Sequence, residues 1–259
     1  MRRMIGAIGG AVFGVAMVVG PAGAVEAPSA DTAAQVEELM RLTSYESITD
    51  EARLEFTHEL ENVARSNGEP VEDVLEAAIA EAQDSLAETR RDAGSGSGVM
   101  ALSGDSDSCG TKRVIGNATQ TGDVFYSPAS TAGVQHGHSG IYYRTGTVVE
   151  APGPNRNSRS VSATSLKVCD NTYKQHVKRV YSERKSAGDR AYSKYRGKPY
   201  DLNFAFNKKN GAEKVNCSEL VWRAYRYSAA GISLDVNGGS GVYPVNIKNS
   251  GYTTTYKVL

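Results

Sequence analysis

The stretch Val215–Trp222, which reads VNCSELVW, places a cysteine at the start of a predicted helix. Asn216 is a favourable N-cap residue, and Glu219 stands three positions later, at the spacing of a capping box. Cys217 therefore falls in the first helical turn, where the helix dipole favours a thiolate over a thiol. The alternative interpretation is a buried structural cysteine on an amphipathic helix.

The amino terminus is typical of an export signal. Arg2 and Arg3 precede an apolar run over residues 5–19, and Ala22–Ala24 matches a small-residue cleavage site. The run is shorter than the roughly 20 residues that a membrane-spanning helix needs. We therefore expect residues 1–24 to be a signal peptide and the protein to be secreted, into a compartment where thiols normally pair.

Charge divides the chain sharply, although 29 basic and 29 acidic residues balance overall. Residues 31–92 hold 17 acidic residues and 5 arginines (−12), whereas residues 109–259 hold 22 basic and 9 acidic residues (+13). Opposite charges suggest that the acidic part folds over the basic part in cis, the alternative being a solvated arm. The basic part also suits an anionic wall or membrane surface, and no nucleic-acid motif indicates such a partner.

Composition predicts three parts after the signal peptide. Residues 25–92 form an acidic segment of two or three helices, and residues 93–108 form a Gly/Ser-rich linker. Residues 109–259 are long enough for one domain with its own core. We interpret the acidic segment as an inhibitory propeptide that covers the cleft of this domain. Its predicted docking face includes Leu54, Leu60 and Ile79.

Two predicted strands, Gly137–Tyr143 and Thr147–Ala151, form a β-hairpin through the turn between them. With the turn centred on Arg144, His138 faces Glu150 across the hairpin. A carboxylate beside an imidazole fixes its tautomer and stabilises the imidazolium. The alternative is an unrelated surface histidine and surface glutamate.

Five short motifs occur in the order of a known family. They are Gly122–Val124 (GDV), Gly137–Tyr142 (GHSGIY), Val148–Ala151 (VVEA), Gly197–Asp201 (GKPYD) and Asn216–Val221 (NCSELV). Together they resemble the circularly permuted papain-like amidases of the YiiX/YaeF type, relatives of NlpC-type cell-wall hydrolases and, more distantly, of lecithin:retinol acyltransferases. The similarity spans about 120 residues, from Gly122 to roughly Pro244. It implies an α+β fold in which an antiparallel sheet packs on a helix that carries the nucleophile.

The resemblance implies Cys217 as the nucleophile, His138 as the base and Glu150 as the residue that orients the base. It favours His138 over the neighbouring His136, because the family base lies directly before the Gly-Ile-Tyr piece. His176 is expected at the surface of a predicted Lys- and Arg-rich helix from Tyr173 to about Arg196, and His58 lies in the acidic helices, outside the resemblance.

Three further residues are candidates for contacting the substrate or the oxyanion: Tyr200, Asn216 and Ser218. A packed core tyrosine is the alternative for Tyr200. The chain departs from the family pattern by adding Cys109 and Cys169, which we expect to form a disulfide. That pairing leaves Cys217 free.

These features imply an exported cysteine hydrolase that cleaves an amide through an acyl-enzyme, with cell-wall peptides or related peptide amides as leading substrates. One alternative is a lipid-directed thioesterase or acyltransferase of the same fold. The other is a non-enzymatic, secreted surface-binding or toxin-like module. We expect no metal and no cofactor, because the histidines and cysteines lack ligand spacing and no Gly-rich phosphate-binding loop is present.

Overall fold

The computed structural model describes residues 30–43, 48–94, 111–130, 134–208 and 211–259. Within these ranges the protein is a mixed α+β structure, in which an N-terminal helical segment precedes antiparallel sheets and further helices. The predicted signal peptide and residues 95–108 of the predicted linker lie outside the described ranges.

The described residues of the acidic segment form three helices, α1 (Ala30–Leu42), α2 (Asp50–Asn67) and α3 (Val71–Gly94). The side chain of Thr49 caps α2, and Gly68 ends it with a φ of 72°, a left-handed conformation that glycine adopts without strain. The prediction of a short helical array is confirmed for the described residues, and α3 extends two residues beyond the predicted boundary.

The described residues from 111 onward form a six-stranded and a two-stranded antiparallel sheet. The larger sheet has the strand order β5-β4-β3-β2-β7-β8, and β1 pairs with β6. The strands are β1 (Lys112–Val114), β2 (Val124–Ser127), β3 (His138–Arg144), β4 (Thr147–Glu150), β5 (Arg159–Ser162), β6 (Lys167–Cys169), β7 (Tyr173–Val177) and β8 (Thr253–Val258).

Helix α5 (Cys217–Arg226) is the central helix of this part, and every residue of it except Arg226 is buried. It packs on the large sheet, as predicted for the helix that carries the cysteine. The shared apolar core joins Val124, Ile141 and Val149 of the sheet to Leu220, Val221 and Tyr225 of the helix. The other helical elements are α4 (Tyr181–Arg190), a π-helical turn (Ala191–Tyr195) and α6 (Pro244–Lys248).

The prediction of a helix from Tyr173 to about Arg196 was wrong in its first part. Residues Tyr173–Val177 form strand β7, which lies between β2 and β8, and the helix begins at Tyr181. Pairing on both sides satisfies the backbone of β7 and overrides the helical tendency of a Lys- and Arg-rich sequence. His176 therefore lies on a strand rather than on a helix.

The helical segment packs against the second part of the chain through one apolar cluster. Helix residues Leu39, Phe56, Leu60, Leu75 and Ala82 share it with Tyr126, Phe204, Phe206, Cys217 and Tyr243. Leu60 and Ile79, two residues of the predicted docking face, contribute to this cluster. The assignment of Leu54 to the docking face was wrong, because its side chain is 72% exposed on the opposite face of α2.

Candidate active site

Cys217 lies at the first position of α5, where two reciprocal hydrogen bonds fix the helix start. The Asn216 side chain accepts the Glu219 N–H at 2.9 Å, and a Glu219 carboxylate oxygen accepts the Asn216 N–H at 3.2 Å. The predicted capping box is therefore confirmed. Cys217 has a free thiol and is only 1% exposed, so the cap holds a buried sulfur in one orientation.

His138 begins β3 and contacts both a thiol and a carboxylate. Its Nε2 atom lies 2.8 Å from Oε2 of Glu150, and its ring is also hydrogen-bonded with the Cys217 side chain. Because Nε2 donates to Glu150, Nδ1 is the nitrogen left for the thiol. The structure thus brings the three residues of the predicted triad together.

The hairpin register differs from the prediction by two residues. Gly140, not His138, lies directly opposite Glu150, because the turn is Thr145–Gly146 and a register shift falls between Tyr142 and Arg144. His138 and Glu150 are diagonal neighbours on one face, within reach of long side chains. A Cβ at Gly140 would lie 2.6 Å from the Phe125 ring, so glycine lets that ring pack beside His138.

The charges of the triad stabilise one another. Burial alone would lower the pKa of His138, but the hydrogen bonds and charges of Cys217 and Glu150 outweigh it and raise the pKa to about 10. Burial would likewise raise the pKa of Glu150, but the contacts with His138 and Arg159 hold it below its ordinary value. The arrangement favours an imidazolium beside an ionised carboxylate.

Arg159 is a site residue that sequence reasoning missed. It lies on β5 directly opposite Glu150, and its Nε and Nη2 atoms donate to Oε1 of Glu150 at 3.0 and 2.8 Å. Both carboxylate oxygens of Glu150 are therefore occupied, one by Arg159 and the other by His138. The available signal was an arginine nine residues after the glutamate, which becomes meaningful only when the β4–β5 pairing is known.

The other three histidines are engaged elsewhere. His136 stacks on Phe204 with ring centroids 4.2 Å apart, and burial lowers its pKa to about 4. His176 lies 3.0 Å from the buried Asp123, and His58 is exposed on α2. Of the described histidines, His138 is the one hydrogen-bonded with Cys217.

The predicted oxyanion residues use their side chains for structure. Asn216 caps α5 and donates to the Asn203 carbonyl at 3.3 Å, and the Ser218 hydroxyl donates to the Val242 carbonyl at 2.6 Å. Tyr200 is half-buried and packs against both apolar clusters, in keeping with its alternative as a packing residue. The cap already uses the Glu219 N–H, so what remains for an oxyanion in the first helical turn are the backbone N–H groups of Cys217 and Ser218, which have no acceptor among the described residues.

Glu219 lies in the first turn of α5, two residues after Cys217, and is fully buried. Its carboxylate lies 2.6 Å from Nε of Arg223, one helical turn later. Burial and the nearby charge of Asp201 raise the pKa of Glu219 to about 8, although Arg223 opposes that rise. Asp201 belongs to the motif that precedes the nucleophile, and its own oxygen accepts the Asn203 N–H at 3.0 Å. These contacts fix the chain around the start of α5.

The helical segment lies over the thiol side of the site. Phe56 of α2 meets Phe206 edge-to-face with ring centroids 5.3 Å apart, within the cluster that contains Cys217. Polar contacts border this apolar patch. They join Glu55 to Lys214, Glu59 to Asn203, Glu81 to the Gly241 N–H, Glu88 to Asn249 and Asp92 to Lys248. The acidic helices thus meet basic and polar groups of the second part.

The predicted disulfide stays a prediction, because Cys109 lies outside the described residues. Cys169 ends β6 and is buried, and it does not present a free thiol. In the described ranges, no group of three or more His, Cys, Asp or Glu residues could hold a metal ion. No helix of the same ranges is long and apolar enough to cross a membrane.

Comparison with known proteins gave one sequence relative and one structural neighbour. No family model matches the chain. The chain is 38% identical over 164 residues to the uncharacterized protein YycO of Bacillus subtilis (strain 168), a match that covers 63% of this chain and 64% of YycO. The chain therefore spans just under two thirds of that relative's length.

The structural neighbour is the crystal structure of the metalloprotein YiiX from Escherichia coli O157:H7. The two share 15% sequence identity and a TM-score of 0.36, over 54% of this chain and 97% of YiiX. A TM-score this low does not by itself show a common fold.

Proposed function

We propose that this protein is an exported cysteine hydrolase of the permuted papain-like kind, which cleaves amide bonds through Cys217, His138 and Glu150. The observation that carries the proposal is a single imidazole hydrogen-bonded to both a free helix-start thiol and a buried carboxylate. Three such groups in contact fulfil the roles of nucleophile, base and orienting residue.

The chemistry follows from the order of these contacts. His138 takes the thiol proton through Nδ1, and the thiolate attacks the acyl carbon of the substrate. The resulting oxyanion lies near the N–H groups at the start of α5, where the helix dipole favours negative charge. His138 then gives its proton to the leaving amine as the C–N bond breaks, and water, deprotonated by the same imidazole, releases the acyl group as a carboxylic acid.

Glu150 and Arg159 act on the base rather than on the substrate. Glu150 fixes the imidazole with Nε2 protonated, which leaves Nδ1 to accept the thiol proton. Arg159 holds the carboxylate through its second oxygen and keeps it ionised. A rigid, paired carboxylate lowers the cost of forming the imidazolium in a buried site.

The substrate class is an amide, with cell-wall peptides as the leading source, since an export signal and a basic surface suit an anionic wall. The predicted secretion, the Cys109–Cys169 disulfide and the inhibitory role of the acidic helices belong to this proposal. Burial of Cys217 beneath α1–α3 supports latency, because a substrate carbonyl has to reach a sulfur that is 1% exposed.

Acylation of the protein tests the proposal directly. An electrophilic peptide-amide analogue, applied after cleavage of the linker, should add one acyl group to Cys217, as seen by intact-mass and peptide-mapping spectrometry. Cys217→Ala and His138→Ala should abolish the adduct, and His58→Ala is the matched control because His58 is exposed on α2. An adduct that persists in His138→Ala would contradict the mechanism, and turnover of lipid esters alone would favour the lipid-directed alternative.

A further inference from the structure

A cavity of about 150 Å³ lies beside the triad and is not used by the chemistry described above. His138 and Glu150 form part of its wall, whereas Cys217 does not contribute to its lining. The cavity therefore opens on the imidazole side of the site, away from the thiol. Residues from four separate stretches complete it, including Ser127, Ser130 and Leu166.

Positive charge dominates the lining. Lys112, Arg156, Arg159 and Lys167 all border the cavity, and among the described residues that line it Glu150 is the one carboxylate. Both oxygens of Glu150 already accept hydrogen bonds from Arg159 and His138, so this carboxylate does not neutralise the other cations.

Two of these cations have no acidic partner among the described residues. Arg156 donates one N–H to the Pro152 carbonyl at 2.7 Å, which orients its guanidinium without balancing its charge. Lys167 begins β6, where it pairs with Val114 of β1, and it forms no ion pair among the described residues. Unbalanced cations in a concave site attract an anionic group of the ligand.

The position of the cavity identifies which part of a substrate it would hold. In amide cleavage the imidazole gives its proton to the leaving nitrogen, so the leaving amine lies on the histidine side of the sulfur. A group that extends past His138 therefore belongs to the leaving amine rather than to the acyl part.

We propose that this cavity binds the carboxylate of the leaving group, a proposal that rests on the hydrolase function described above. The substrate is then an N-acyl amino acid or peptide whose amide nitrogen belongs to an amino acid with a free carboxylate. In the reaction the Cys217 Sγ–C bond forms and the C–N bond breaks. The amino acid departs with the proton from His138, and water completes hydrolysis. A guanidinium and an ammonium suit a carboxylate because the first can bind both oxygens and the second is a point charge.

Direct binding tests this inference without any turnover. The full-length Cys217→Ala chain is titrated with N-acetyl-L-alanine, with neutral N-acetyl-L-alaninamide and with inorganic phosphate, and affinities are measured by ligand-detected NMR. We expect the carboxylate to bind about tenfold more tightly than the amide, and Arg156→Gln and Lys167→Gln each to reduce that preference about fivefold. Lys178→Gln is the matched control, because it removes one exposed positive charge outside the cavity.

The outcomes separate this inference from the proposed function. Equal affinities for the carboxylate and the amide, or equal losses in the Lys178→Gln control, overturn the inference even if the enzyme cleaves amides. Tighter binding of phosphate than of the carboxylate overturns the assignment of the ligand. A carboxylate preference that depends on Arg156 and Lys167, in a protein that never acylates Cys217, supports the cavity and refutes the hydrolase.

Discussion

Replacing Phe56 with alanine tests whether the helical segment covers the nucleophile. Phe56 is fully buried, and its ring meets Phe206 edge-to-face across the contact between the two parts of the chain. Loss of the ring pair alone costs about 0.5–1.5 kcal/mol, and loss of a buried phenylalanine about 3–5 kcal/mol. Since about 1.4 kcal/mol is a factor of ten, docking should weaken at least twofold to tenfold.

The assay is the rate at which iodoacetamide alkylates Cys217 in the non-reduced, full-length protein, followed by intact-mass spectrometry. If the thiol reacts only when the helices open, the rate follows the open fraction, and Phe56→Ala should react at least about twofold faster. Leu54→Ala is the matched control, because this residue lies two positions away on α2 with its side chain 72% exposed. Equal alkylation rates in Phe56→Ala, Leu54→Ala and the parent would refute the idea that α1–α3 shield the Cys217 thiol.

Three further outcomes follow from the triad. Glu150→Gln keeps the shape but removes a charge that stabilises the imidazolium, so kcat for an amide substrate should fall about 10- to 100-fold with little change in KM, measured after linker cleavage. Arg159→Gln should lower kcat less than Glu150→Gln, and the double variant should lower it no more than Glu150→Gln alone, because Arg159 acts through Glu150. The raised pKa of His138 contributes stability that is complete below pH 6.5 and disappears as pH rises to about 10. Between pH 6.5 and about 10, the melting temperature of the parent should therefore fall more steeply with pH than that of His138→Gln. Parallel plots of melting temperature against pH for the two proteins would contradict the pairing of His138 with Cys217 and Glu150.

Local sequence rules located the nucleophile helix and the hairpin because their determinants are close in sequence. The capping box lies within four consecutive residues, Asn216 to Glu219, and the two hairpin strands are joined by a short turn. Even there, the observed turn at Thr145–Gly146, combined with the register shift between Tyr142 and Arg144, leaves the pairing two residues away from the predicted register. The His138–Glu150 contact survived because both side chains stay on one face.

Features that depend on distant pairing could not be predicted. Arg159 became a site residue only through the pairing of β4 with β5, and residues 173–177 became a strand only because β2 and β8 lie on either side. The prediction that Leu54 lies on the docking face of α2 was wrong. Helical periodicity identifies apolar faces, but it does not tell which of them contacts the rest of the chain. Packing decided all three.

Varying the salt concentration distinguishes two contributions to the docking of α1–α3 over Cys217. Long-range attraction between the −12 and +13 parts acts at distances that salt screens, whereas the apolar cluster around Phe56 and Leu60 does not depend on ionic strength. The Glu55–Lys214 pair at the border is about half exposed, so it adds at most about 1 kcal/mol. After linker cleavage, raising NaCl from about 0.05 to about 0.5 M should slow reassociation of the segment roughly tenfold and leave its dissociation rate nearly unchanged. Biolayer interferometry measures both rates. A dissociation rate that rises with salt as steeply as association falls would show that ion pairs, rather than the buried aromatic contact, hold the helices over Cys217.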